Sequence, residues 1–377
     1  MKRVLPILLT LALLIPCVHA APAGLQVNAA SSVLMEKETG AVLCENNAHE
    51  KLEPASVTKV MTLLLVMEAL ESGRMKKEDM VSTSAYAASM GGSQVFLEEG
   101  EQMSVHDLLK CIAVSSANDA AVAMAEHLAG SETAFVDKMN ARAAELGMKD
   151  THFSNCTGLP IAEHYTSAYD IALMSRQLVL HHPDIQTYAT IWMDSIRGGA
   201  FGLSNTNRLI RFYNGATGLK TGFTDSALYC LSATAERDGM ELVAVVMKSP
   251  TSDDRFQAAK TLLDYGFANY SLTTVHPDQA LAPVEVLLGE CDQVQPKLSR
   301  DCRLLLERDS TGQITTELLV AEDVEAPVEE GQQLGTMIVR VNGEVRDEVP
   351  IVASGGVNRL SLPGIFSRMF RRMLMAG

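Results

Sequence analysis

Apolar positions follow three different rhythms along this chain. Val4 to Pro16 is a short unbroken apolar run behind Lys2 and Arg3, and Val18-His19-Ala20 follows it. That is the layout of a secretory signal cleaved after Ala20, and the run is too short for a bilayer span. The next stretch mixes strand and helix patterns. Val33-Leu34-Met35 and Ala41-Val42-Leu43-Cys44 flank a turn at Glu38-Thr39-Gly40 and predict a hairpin. Pro54 opens a helix that is apolar nearly all round from Val57 to Leu70, which predicts a buried, central helix. Residues 104–129 read as helical, broken by the polar Ser115-Ser116-Ala117-Asn118-Asp119. Further helices are expected over about 132–146, ending at Gly147, and from Thr166 to Leu180, with Tyr169, Leu173, Met174 and Leu178 facing the core. Strands Ala227–Ala235 and Leu242–Met247 join through the tight turn Asp238-Gly239, and a helix over about 253–266 follows. Strands at both ends with helices between them predict an α+β fold: one antiparallel sheet flanked by helices.

Beyond residue 275 the runs shorten. Val284–Leu288, Arg303–Leu306, Ile314–Val320, Met337–Val341 and Val345–Val352 are β-prone, and Asn342-Gly343 is a hairpin signal. They predict a small, acidic, all-β domain without evident chemistry. The tail changes again. Ile365, Phe366, Met369, Phe370, Met373 and Leu374 recur at helical spacing, with Arg368, Arg371 and Arg372 off that stripe. A short basic amphipathic helix reads as a membrane-surface anchor; the alternative is a helix docked on the protein's own surface. The expected organisation is a signal over 1–20, a catalytic domain over 21–274, the β domain over 275–355 and the anchor over 356–377.

Composition narrows the class. In 377 residues, 47% are hydrophobic and 20% charged, as in a globular protein rather than a disordered one. A net charge of −15 argues against general nucleic-acid binding. Removing the signal leaves Cys44, Cys111, Cys156, Cys230, Cys291 and Cys302, whose spacing fits no zinc motif. No metal and no cofactor are expected. Cys291 and Cys302 are the only close pair, and export leaves their oxidation open.

The chemistry lies in three short motifs. Ser56-Val57-Thr58-Lys59, Ser116-Ala117-Asn118 and Lys220-Thr221-Gly222 follow one another at intervals of 60 and 104 residues. A Ser-x-x-Lys occurs by chance about once in a chain of this length. Its setting raises its weight: Ser56 falls in the first turn of a buried helix, and Lys59, three residues on, shares its face. A lysine on a core helix wants a reason. Near a helix N-terminus, protonated Lys59 is disfavoured and a negative oxygen at Ser56 favoured. Ser116 can pass a proton between Lys59 and a leaving group, and Asn118 can hydrogen-bond a substrate amide; alone, the pair reads equally well as helix capping. Lys220 and Thr221 can meet a carboxylate, Gly222 lets a substrate lie against the strand, and Lys220 adds a second cation near Lys59. Together these groups specify acyl transfer through a serine ester.

The set resembles that of the penicillin-recognising serine enzymes. Pro54-Ala55-Ser56-Val57-Thr58-Lys59, Ser116-Ala117-Asn118-Asp119-Ala120, Phe135 to Met148 with Thr151-His152-Phe153, and Gly218-Leu219-Lys220-Thr221-Gly222-Phe223-Thr224 are similar to the low-molecular-mass D-alanyl-D-alanine carboxypeptidases. So is the order of signal, catalytic domain, β domain and anchor. The resemblance implies a β-lactamase/transpeptidase-like catalytic domain and an acyl-enzyme on Ser56. It implies an oxyanion hole from the N–H groups of Ser56 and Phe223, Phe223 standing where some relatives have histidine. Arg255 stands where relatives carry an arginine that helps bind the substrate carboxylate.

The implied activity is removal of the terminal D-Ala from peptidoglycan stem peptides, with covalent binding of β-lactams. The implied location is the outer face of the cytoplasmic membrane, held by the C-terminal helix. Three alternatives use the same fold: a D,D-endopeptidase, a β-lactamase and a non-catalytic cell-wall sensor. No Glu-x-x-Leu-Asn lies between Asn118 and Lys220, which argues against fast β-lactam hydrolysis. The complete set of catalytic residue types argues against the sensor.

Overall fold

Strands from the two ends of the first 270 residues meet in one sheet. The computed structural model describes residues 25–308 and 313–366, so the expected signal and the tail stripe from Arg368 onward lie outside the described residues. The chain divides into two units between Ala268 and Asn269.

In the first unit, β1 (Ser31–Glu36) and β2 (Val42–Asn46) form the expected hairpin. The helices α1 (Lys59–Glu71), α2 (Val105–Ser115), α3 (Asn118–Ala129), α4 (Glu132–Glu145) and α5 (Ala168–His181) follow. The chain then returns as β3 (Ala216–Thr224), β4 (Leu228–Arg237) and β5 (Met240–Ser249), and ends in α6 (Ser252–Asn269). The sheet order is β2-β1-β5-β4-β3, antiparallel throughout. Strand alternation sorts its side chains: Val33, Met35, Val243 and Val245 join the helical core, while Leu34 and Leu242 reach Gly266 of α6. α1 is buried from Lys59 to Met67, as a pattern apolar nearly all round predicts.

Two short antiparallel strand pairs carry no sequence signal. Met80–Ser82 pairs with Gln102–Ser104, and Met193–Ile196 with Phe201–Ser204. Strands of three and four residues are too short for a period to show.

The second unit is all β. Its largest sheet orders Pro296–Leu298, Glu344–Ala353, Gln333–Val341 and Ile314–Val320. Both of its limits differ from the expected 275 and 355. Tyr270–Val275 is already one of its strands, pairing with Cys302–Glu307. At the other end Val357 is buried in its core, exchanges backbone hydrogen bonds with Val328, and is followed by Leu360 N–H donating to Leu288 O. Residues 362–366 are helical, with Leu362 and Phe366 exposed. All six cysteines of the described residues are free; Cys302 is buried and Cys291 exposed, so this pair is not bridged.

Candidate active site

The three motifs converge where the turn before α1, the corner between α2 and α3, and strand β3 meet. Ser56 is not in the α-helix, as the sequence implies, but in a 3-10 turn over Ala55–Thr58, and α1 starts at Lys59. Ala55, at the head of that turn, has φ +48°, a left-handed value through which no α-helix extends. A left-handed residue with a Cβ is held there by its surroundings.

Lys59 is fully buried, and on a helix covered on all sides its amine cannot snorkel to water. Its Nζ lies 3.0 Å from Ser56 Oγ, 2.5 Å from Asn118 Oδ1 and 2.8 Å from the Thr157 carbonyl. Burial pulls its pKa down to about 7, against the smaller opposing influence of Cys156 and Asp119. The amine is thus poised to exchange a proton with Ser56 near neutrality.

α2 ends where Ser116 takes a left-handed conformation, φ +62°, and α3 begins at Asn118. Ser116 Oγ is buried and finds no hydrogen-bond partner among the described residues, so it is an unspent polar group inside the site. Asn118 is committed on three sides: Oδ1 accepts from Lys59, Nδ2 donates 2.6 Å to Gly91 O, and its N–H donates 2.7 Å to Ser93 O. One Nδ2 hydrogen is left over for a substrate.

On β3, Lys220 and Gly222 share one face and Thr221 and Phe223 the other. A Cβ on Gly222 would stand 2.7 Å from Pro54 O and 3.0 Å from Ser56 N, so the strand backbone abuts the Ser56 amide. Lys220 is buried with its Nζ donating to Thr221 O, 3.0 Å, and its pKa falls well below normal through burial and the charges of Lys59 and Arg255. Burial is the largest cause of the low Lys59 value, and charge on Lys59 and charge on Lys220 disfavour each other.

Thr221 Oγ1 donates to Thr206 Oγ1, 2.7 Å, and Phe223 is half exposed with its ring 4.4 Å from that of Tyr229. Arg255 lies in the first turn of α6, stacked on Phe256 and Tyr229, and Nη1 donates 2.9 Å to Gly222 O. Burial pulls its pKa down to about 10. The structure therefore sets Arg255 against the backbone of Gly222.

The segment 154–159 belongs to none of the three motifs and packs directly against the turn that carries Ser56. Thr157 supplies the carbonyl to Lys59. Asn155 Oδ1 accepts from the N–H groups of Thr157 and Gly158 and so shapes the turn. An asparagine three residues before a glycine was the available signal.

The sequence profile of the D-alanyl-D-alanine carboxypeptidases matches residues 17–251 of this chain. The chain belongs to the D-alanyl-D-alanine carboxypeptidase family. The C-terminal domain of penicillin-binding protein 5 matches residues 270–359, which agrees with both shifted limits of the second unit. DacF of Bacillus subtilis, a D-alanyl-D-alanine carboxypeptidase, is 44% identical over 330 residues, covering 86% of this chain and 85% of the relative. Among solved structures, penicillin-binding protein 5 of Haemophilus influenzae superposes with a TM-score of 0.75 at 29% identity, over 89% of this chain and 98% of that one. Penicillin-binding protein D2 of Listeria monocytogenes, in its ampicillin-bound form, superposes with a TM-score of 0.56 at 31% identity, over 64% of this chain and 98% of that one. This carboxypeptidase thus has the mixed helix-and-sheet transpeptidase-like domain and the all-β C-terminal domain of its family.

Proposed function

We propose that this D-alanyl-D-alanine carboxypeptidase works through an acyl ester on Ser56, with Lys59 as the base. The single observation that carries the reading is the buried Lys59 amine, 3.0 Å from Ser56 Oγ and with its pKa pulled to about 7. Neutral Lys59 takes the Ser56 proton as Oγ attacks the carbonyl carbon of the penultimate D-Ala of a peptidoglycan stem peptide. The oxyanion faces the N–H groups of Ser56 and Phe223. When the C–N bond breaks, the leaving D-Ala nitrogen takes a proton that Ser116, with its unspent hydroxyl, relays from Lys59. Water then attacks the ester, gives its proton to Lys59, and Ser56 recovers its own. Lys220 and Thr221 receive the substrate carboxylate, beside the Gly222 backbone that Arg255 braces.

A β-lactam acylates Ser56 by the same steps, its ring nitrogen being the leaving group. That leaving group stays tethered, and no deacylating glutamate motif is present, so turnover is slow. The ampicillin-bound relative supports this extension.

The substrate lies outside the cytoplasm. Among the described residues no helix is long and apolar enough to cross a membrane. We assign export to the segment 1–20 and attachment to the tail stripe, at the outer face of the cytoplasmic membrane.

Ser56→Ala tests the assignment. It should release no D-Ala from a peptide ending in D-Ala-D-Ala and take no label from a fluorescent penicillin. Release or labelling by that variant would show another nucleophile. A cross-linked muropeptide assayed alongside distinguishes endopeptidase action, which would appear as cleaved dimer.

A further inference from the structure

We propose that His164 is a positioning residue: acting through Thr58, it holds the peptide between Ala55 and Ser56 so that the Ser56 N–H aims at the oxyanion. The proposal rests on the reading of Ser56 as nucleophile and of its N–H as an oxyanion donor.

A chain of hydrogen bonds, the last two of them buried, ends on that peptide. Thr58 Oγ1 donates to the Ala55 carbonyl at 2.8 Å. His164 Nε2 lies 2.8 Å from the same Oγ1, and the Ser154 N–H donates to His164 Nδ1 at 3.0 Å. Proton counting leaves one arrangement. A backbone N–H only donates, so Nδ1 carries a lone pair, and the hydrogen of the neutral ring is on Nε2. Nε2–H therefore donates to Thr58, whose own hydrogen goes to Ala55 O. Thr58 is fully buried and His164 nearly so. Burial, with the charge of His152 and against that of Glu132, pulls the His164 pKa down to about 4, which keeps the ring neutral.

The carbonyl of Ala55 and the N–H of Ser56 belong to one planar trans peptide and point in opposite directions. Fixing the first aims the second. The peptide needs such a restraint, because Ala55 sits at φ +48°, where a residue with a Cβ is not at rest. Gly158 closes the other side of the same carbonyl. His164 also ties Thr58 to Ser154, three residues before the Thr157 carbonyl that holds Lys59. One neutral imidazole thus links the oxyanion donor and the base.

The test compares His164→Ala, His164→Gln and Thr58→Val with the wild type, measuring the acylation rate constant and the dissociation constant for a penicillin. Losing an oxyanion donor outright costs about 10²–10³ in rate, and mis-aiming one should cost about ten- to a hundredfold. We expect that loss in His164→Ala and Thr58→Val, with the dissociation constant changed less than about threefold. His164→Gln should restore the rate to within about threefold, because an amide offers an acceptor to Ser154 and a donor to Thr58 in the ring's place. Nitrogen-15 NMR of the wild type at neutral pH should show His164 with bare Nδ1 and protonated Nε2.

Wild-type acylation in His164→Ala would overturn the proposal. So would His164→Gln as slow as His164→Ala at equal melting temperature, or an Nδ1–H tautomer. If both histidine variants fail to fold, Thr58→Val and the wild-type NMR decide. Ser56→Ala run in parallel reports separately on the nucleophile: its labelling would remove the underlying reading and leave the tautomer result standing.

Discussion

A methyl group placed on Gly158 would stand 1.8 Å from the carbonyl oxygen of Ala55, closer than any two such atoms can approach. Gly158 also has φ +84°, so both its space and its backbone exclude a side chain. Gly158→Ala should therefore push the nucleophile turn away from the segment that holds Lys59. Its melting temperature should fall, and fluorescent-penicillin labelling should slow by at least about tenfold. Gly73→Ala is the control. Gly73 has a similar φ of +71° but open space around it, so its labelling rate should stay at the wild-type value.

The pH profile of acylation should report Lys59. The proposed base is the neutral amine, which dominates above about pH 7 and gives way to the ammonium below. The rate should be level above that value and fall about tenfold per unit below it. Stability carries the opposite side of the same shift. Between about 7 and the ordinary 10.5, the unfolded chain binds a proton at Lys59 that the folded chain does not. Stability from this group therefore falls as pH drops through that window and is level beneath it. Lys59→Arg stays charged at every accessible pH and should lose about 10²–10⁴ in rate. A flat profile from pH 5 to 8 would remove Lys59 as the base.

Lys220 should take up a proton when substrate binds. Its amine is buried near two other cations, and the anion that would favour its charge is the substrate carboxylate. Calorimetry of Ser56→Ala with a D-Ala-D-Ala peptide, in two buffers of different ionisation enthalpy at pH 7.5, measures this. Proton uptake is expected, and less of it with Lys220→Arg added. Lys220→Arg alone should keep more activity than Lys59→Arg, since charge is its main task. The reverse order would exchange the two roles.

The tail should be separable only beyond the second unit. Val357 is 7% exposed in that unit's core, so a chain ending at Ser354 loses part of it. A chain ending at Ser361 should be fully active on free peptide and melt like the full chain, whereas one ending at Ser354 should melt lower. Full-length protein should sediment with anionic vesicles at low salt and the Ser361 form should not. Full-length protein remaining in the supernatant would remove the anchor.

The sequence by itself determined whatever is local. A buried helix announces itself by the stretch after Ser56 that is apolar nearly all round, hairpins by Glu38-Thr39-Gly40 and Asp238-Gly239, and the proposed acyl-transfer chemistry by three motifs whose order survives any folding. Tertiary structure decided the rest, because it depends on what distant segments bring to one point. Thr157 and Gly158 look like ordinary loop residues until they pack on Lys59 and Ala55, 98 and 103 positions away. His164 carries no motif; its role comes from reaching Thr58 across 106 positions. The pKa of Lys59 follows chiefly from exclusion of water, which no spacing in the sequence encodes. The limits of the second unit moved for the same reason. Tyr270–Val275 and Val357 are assigned by the strands they pair with, and pairing is settled only when the chain has folded back on itself.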